Sequence, residues 1–200
     1  GTGARHCTAM ALAALGNFSD AADQLESLAW DLPADTADAA RAEVLAQAGQ
    51  FWLDARQPAK ADALLSAAVD LAPRNPEIRI DRAMALAASG RLQDAIVDLS
   101  ASILMTENPA QALVLRASAY RQSDRPAEAA EDLERVLGMA SDHPGALLER
   151  GLLRRYNGDG KGARLDWQLL MTRHPDSPEA EAARKHLGLI APARRQETGR

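Results

Sequence analysis

From Pro76 the apolar residues Ile78, Ile80, Ala83, Leu86 and Ala87 lead to the tripeptide Ser89-Gly90-Arg91. Beyond it Leu92, Ala95, Ile96, Leu99 and Ile103 fall on one side of a second stretch. Spacings of three and four line such residues along one helix face, and a glycine after the last periodic position stops a helix. The pattern predicts two amphipathic helices joined by a tight turn. It also repeats. Ala61, Ala95, Ala129 and Ala163 stand 34 residues apart. Twelve residues before each lies a small residue (Gly49, Ala83, Ala117, Gly151), and four after each a bulky one (Leu65, Leu99, Leu133, Trp167). Self-similarity at this period predicts stacked copies of one supersecondary unit.

Asn75-Pro76, Asn108-Pro109 and His143-Pro144 recur where one unit ends and the next helix begins. Proline suits a first helical turn, where its missing donor would be unpaired anyway. An earlier unit carries Ala9, Leu12, Gly16, Ala21, Leu25, Leu28 and Pro33, with Ala21 lying 40 residues before Ala61. The surplus of six falls in 34–41, as a longer following helix or as a loop. Five units result, at 2–35, 42–75, 76–109, 110–143 and 144–177, followed by an amphipathic helix at 178–189 and a tail, 191–200, expected to be disordered for want of anything to bury.

These landmarks resemble the tetratricopeptide repeat, a helix–turn–helix unit marked by small, aromatic, alanine, large-apolar and proline positions. Trp52, Leu86 and Tyr120 fill its aromatic or apolar landmark, Pro73 and Pro175 its closing proline, and Arg154 departs from it. The resemblance covers about nine tenths of the chain. It implies an all-α fold, a right-handed α-solenoid of five hairpins in a single array over 1–190, with 178–189 capping the open end. Terminal repeats need such a polar outer face. Helices of a hairpin approach to ~8–10 Å only where one presents little side chain. Ala83 and Ala95, and likewise Ala117 and Ala129, are the expected points of closest approach, where a larger residue would cost about 1–3 kcal/mol.

A second signal shares the period. Arg82, Arg116 and Arg150 are each followed sixteen residues later by an aspartate, Asp98, Asp132 and Asp166. In the unit without the arginine the two places hold Ala48 and Leu64, and in the first unit Thr8 and Gln24. Places that change together within one sequence are expected to touch, within a hairpin or between neighbours. The alternative is solvated charge copied by duplication of an ancestral unit.

Composition narrows the function. The chain is 46% hydrophobic but only 4% aromatic, which suits helices meeting at small residues and suits strands poorly. Its alanine- and arginine-rich, lysine-poor make-up points to a high-GC bacterial genome. No apolar run approaches the ~18 residues that cross a bilayer. A net charge of −5 argues against nucleic acid as the main ligand, since phosphate neutralisation needs a basic surface. Residues 1–100 hold 8 basic and 14 acidic side chains, and 101–200 hold 15 and 14. The single Cys7 is either a small buried hydrophobe or the partner of a cysteine upstream. With the missing initial Met, this favours the periplasm slightly over the cytoplasm.

Candidate chemistry is thin. Asn157-Gly-Asp-Gly-Lys-Gly162 lacks the preceding strand and following Ser or Thr of a phosphate loop, lacks the further carboxylates of a calcium loop, and falls where other units turn. His6, His143, His174 and His186 show no metal-ligand spacing, and His143 and His174 precede prolines at unit boundaries. His6 and Cys7 are adjacent, so they do not face each other on a helix. No catalytic residue, metal or cofactor is expected.

In the resembled family the first helix of each unit lines a concave face that holds a peptide or partner segment. By register this lining comprises Gln47, Gln50 and Asp54, then Glu77, Ile80, Asp81 and Met84. Gln111, Val114, Leu115, Ser118, Arg121 and Gln122 come next, followed by Leu148, Glu149, Leu152, Arg155 and Tyr156. Ile80, Met84, Val114 and Leu152 serve either as anchors for the partner or as core between repeats. None of these residues is the Lys or Asn of the family's two-carboxylate clamp, so a receptor for acidic chaperone tails is rejected. The expected function is a non-enzymatic scaffold binding a protein or peptide. The alternatives are a self-assembling module, and thus a homo-oligomer, or a regulatory domain of a larger enzyme.

Overall fold

The computed structural model describes residues 2–188, and over these the chain is all-helical, with no strand. Eleven helices follow one another: α1 (Thr2–Ala14), α2 (Phe18–Asp31), α3 (Asp38–Asp54), α4 (Pro58–Leu71), α5 (Pro76–Ala88), α6 (Leu92–Met105), α7 (Ala110–Gln122), α8 (Pro126–Met139), α9 (Pro144–Tyr156), α10 (Gly160–Arg173) and α11 (Pro178–Gly188). They fall into two compact units, divided between Ser123 and Asp124. The first holds α1 to α7, with hairpins α1–α2, α3–α4 and α5–α6; the second holds α8 to α11, with hairpin α9–α10 and α11 packed on both its helices. The tail at 191–200 and the final residue expected for the last helix lie outside the described residues.

The repeat alanines are the hinge of the packing. Ala21, Ala61, Ala95, Ala129 and Ala163 are all 0% exposed, and the bulky residues four places on are buried with them. Where the small partner is glycine, the spacing has a direct cause. A Cβ on Gly49 would stand 2.6 Å from Leu65 Cγ, and one on Gly151 would stand 2.2 Å from Trp167 Nε1. These helices therefore approach more closely than any side chain at those positions would allow.

The three-residue turns that follow α1, α3, α5, α7 and α9 pass through the left-handed region at their middle residues, Gly16, Arg56, Gly90, Asp124 and Gly158, with φ between 57° and 85°. Three of the five are glycine, the residue that takes this conformation without a Cβ penalty. Helix starts follow the proline signals. Asn75 Oδ1 accepts from the amides of Glu77 and Ile78, and His143 Nδ1 from that of Ala146. The Asn157–Gly162 segment is an inter-helix turn, in which Asp159 caps α10 by accepting from the Gly162 amide at 2.8 Å. The six surplus residues are shared between loop and helix: α3 is 17 residues long against 13 for α5. Arg41 secures the lengthened connection by donating to the carbonyls of Ala29, Leu32 and Pro33.

Cys7 is exposed, which corrects the buried reading. Helix α1 buries only Ala9, and Cys7, two residues before it, falls on a different side of the helix.

Candidate functional site

The three aspartates repeated at 34 residues, Asp98, Asp132 and Asp166, are all buried. In the hairpin α5–α6, Arg82 Nε and Nη2 each donate to the Asp98 carboxylate at 2.6 Å, and Arg79 adds a third contact at 3.3 Å. In α9–α10, Arg150 donates through Nε at 3.0 Å and Nη2 at 2.6 Å to Asp166, and Arg154 adds another contact at 2.7 Å. Asp98 and Asp166 are 2% and 3% exposed. The arginines are bidentate, the geometry in which a guanidinium best matches a carboxylate. The bond to Asp98 raises the pKa of Arg82 above its ordinary value. Arg116 belongs to the first unit and Asp132 to the second; Arg116 donates to Ser100 Oγ at 2.9 Å and lies over the Tyr120 ring. Arg154, which departs from the repeat pattern in sequence, supplies the second cation on Asp166.

The first helices of the first unit present a different surface. Met84 on α5 is 42% exposed and stands between two concavities. One, of about 550 Å³, lies between α3 and α5 and is lined by Phe18, Leu53, Asp54, Arg56, Pro58, Met84 and Ala88. The other, of about 210 Å³, lies between α5 and α7 and is lined by Ala83, Met84, Ala87, Leu99, Leu115, Ser118, Ala119 and Gln122. Small residues on α5 and α7 leave the space, and the longer Met84, Leu115 and Gln122 border it. Of the expected lining, Asp54, Met84, Leu115, Ser118 and Gln122 thus come together around these two hollows. Phe18, Leu53, Arg56, Pro58 and the alanines were not expected there. The alanines carried a packing signal, and the turn residues lie outside the first-helix register altogether.

A turn away, Gln50 Nε2 on α3 donates to Asp81 Oδ2 on α5 at 2.8 Å. Asp81 is half-buried, and burial pushes its carboxyl up from 3.8 to about 6; Gln50 opposes the rise and nearby Glu77 adds to it. Gln47 is occupied by His6, whose Nε2 lies 2.7 Å from its Oε1. Glu77 and Gln111 are exposed, and Val114 and Arg121 half-buried. Two expected lining residues are not available. Ile80 and Glu149 are 3% and 7% exposed, because the side of each helix on which they fall is turned into packed layers.

In the second unit, Leu148 and Leu152 are half-buried against a core of Leu147, Ala163, Trp167, Leu170, Ala180 and Ala183. Arg155 lies over the Trp167 ring at 5.7 Å, and His186 from α11 stacks on that ring at 5.3 Å. The exposed Tyr156 donates its hydroxyl to Asp124, which raises the phenol's pKa. Among the described residues no group of three or more His, Cys, Asp or Glu is placed to hold a metal ion, and no helix is long and apolar enough to cross a membrane.

A family model for the tetratricopeptide repeat matches residues 53–112 and 114–178. The chain belongs to the tetratricopeptide repeat family. This repeat protein shares its fold with TTC0263, a thermophilic tetratricopeptide repeat protein of Thermus thermophilus, at a TM-score of 0.75 and 17% identity, covering 95% of this chain and 100% of that one. A tetratricopeptide repeat protein from Parabacteroides merdae matches at a TM-score of 0.71 and 16% identity, covering 94% and 73%. YrrB, described as having an unusual peptide-binding site, matches at 0.61 and 16%, covering 90% of each chain. At such identities the likeness is one of fold. No curated protein matches the sequence. Tetratricopeptide repeat proteins are typically non-enzymatic scaffolds for protein–protein interaction.

Proposed function

We propose that the first-helix face of the first unit binds an extended or helical segment of a partner protein, with Met84 and Leu115 as its apolar anchors. The observation that carries this is the exposed Met84 between two hollows of about 550 and 210 Å³. The smaller hollow has room for one side chain and the larger for several, which suits the way a groove of packed helices holds a peptide: apolar pockets supply affinity and polar groups fix direction. The unusual peptide-binding site of YrrB supports the reading by analogy of fold only.

The test is peptide display on the whole chain, with clones selected on wild type and re-measured on Met84→Glu/Leu115→Glu. Val97→Glu, at an exposed position on the second helix α6, serves as the control. Selected peptides should lose binding to the double variant and keep it on the control. Equal binding to both, or loss on the control alone, overturns the assignment.

A further inference from the structure

We infer that the segment held by the first unit carries a lysine or arginine within two residues of an apolar side chain, the cation pairing with Asp81 while the apolar group enters the hollow beside Met84. This rests on the proposed binding face and adds the chemistry of its occupant.

The argument begins with which carboxylates already have a cation. Asp98 has Arg82 and Arg79, Asp62 and Asp94 share Arg91, and Asp31 has Arg5. Asp54, Glu77 and Asp81 on the first-helix face have none within 4.0 Å among the described residues. Asp81 is the decisive one. It is half-buried, and its bond from Gln50 at 2.8 Å is to a neutral amide. Taking a carboxylate out of water with only a neutral partner is costly, and Glu77 four residues earlier repels it from the same helix face. The rise of Asp81 to about 6 reflects that burial first and the repulsion last. A cation arriving from outside would relieve both.

Position supplies the second half of the inference. Asp81 and Met84 are three residues apart on α5, neighbours on one face at about 5–6 Å between Cβ atoms. An extended chain advances ~3.3 Å per residue, so two side chains within two residues of each other span that gap. Asp54 borders the larger hollow from α3, across from Met84, and extends the negative character of the face. Arg56, in the turn at the edge of the same hollow, limits the cation-accepting stretch to the Asp81 side. An apolar hollow with an uncompensated acid one turn away is complementary to a basic–apolar dipeptide, and is a poor match for an acidic one.

Display of random dodecapeptides on the full chain tests this, with enriched peptides synthesised, labelled and titrated by fluorescence anisotropy. The expected winners hold Lys or Arg within two residues of Leu, Ile, Met or Phe. They should weaken about tenfold or more on Asp81→Asn, the worth of one charge-assisted hydrogen bond, and also on Met84→Glu. Asp81→Asn keeps the shape of the side chain and an oxygen for Gln50, and its unfolding curve reports that it folds. Winners without basic residues, or acidic winners, that lose binding on Met84→Glu but not on Asp81→Asn overturn this inference and leave the binding face standing. Winners indifferent to Met84→Glu overturn both.

Discussion

Replacing Gly151 by alanine adds one methyl group and should unfold the second unit more readily. Its Cβ would lie 2.2 Å from Trp167 Nε1 and 2.6 Å from Cε2. The ring cannot step aside cheaply, since Trp167 is 0% exposed and its Nε1 donates to the Leu148 carbonyl at 3.2 Å. Overpacking a core in this way costs about 1–3 kcal/mol, and a clash against a rigid buried ring belongs at the upper end. Alanine returns roughly 0.5–1 kcal/mol of helix propensity, leaving a net loss of about 2 kcal/mol. Gly138→Ala is the internal control: nothing lies within 4 Å of a Cβ there, so only the propensity gain should appear, raising stability by ~0.5–1 kcal/mol. Gly151→Ala with Trp167→Leu recreates the alanine–leucine pairing of Ala83 with Leu99. The double variant should therefore be more stable than the sum of its two single losses. Urea unfolding followed by circular dichroism reads the wild type and the four variants, Trp167→Leu alone included. Gly151→Ala as stable as wild type, or strictly additive losses in the double variant, would refute the close-approach argument.

Two further outcomes follow from the charges. A double-mutant cycle of Arg82→Met and Asp98→Leu should give a coupling of roughly 1.5–3 kcal/mol, because Asp98 is buried and held by two arginines; the exposed Lys185–Glu181 pair should show none that is measurable, and equal couplings would sink the distinction. Asp81→Asn should stabilise the protein at pH 8 and not at pH 4. The folded-state pKa of Asp81, about 6, lies above the ordinary 3.8, so its contribution is intact below pH 4 and is lost as pH rises through 6. The ceiling is about 3 kcal/mol, and solvent at the half-buried side chain reduces it to ~1–2 kcal/mol. A stability difference between variant and wild type that does not change from pH 4 to pH 8 would show that Asp81 carries no such burden.

The period of 34 made the helices legible, because one apolar pattern and one turn recur and errors in one copy are corrected by the next. The turn at Ser89-Gly90-Arg91 and the helix starts at Pro76 and Pro144 lie where the residues predicted. The split of the surplus between loop and α3 was not legible, since it depends on what Arg41 can reach. Burial on the first-helix face was less legible still. Ile80 and Met84 are both apolar, four residues apart on one helix, yet one is 3% and the other 42% exposed. The difference is set by how far neighbouring helices extend over each position, a property of the stack that no single repeat encodes. The hollows depend on absent volume at Ala83, Ala87 and Ala119, which in sequence looks like packing.

The carboxylates divide into those paired with arginine inside the fold and those on the first-helix face without a cation. Asp98 and Asp166 are met by the repeated arginine and by a second one placed a turn away on opposite sides, Arg79 before it in one hairpin and Arg154 after it in the other. The same buried charge is thus met from two directions by different second arginines. Arg154 even displaces the apolar landmark of its repeat to do so. Asp81 has had no such repair. On the same helix as Arg82, and one residue before it, it keeps a neutral glutamine for company while its neighbour is fully paired across to α6. A single asparagine substitution would remove the burden on the fold. A half-buried acid with only a neutral partner, one turn from an open hollow, is the arrangement that the inferred cation of a bound segment would relieve.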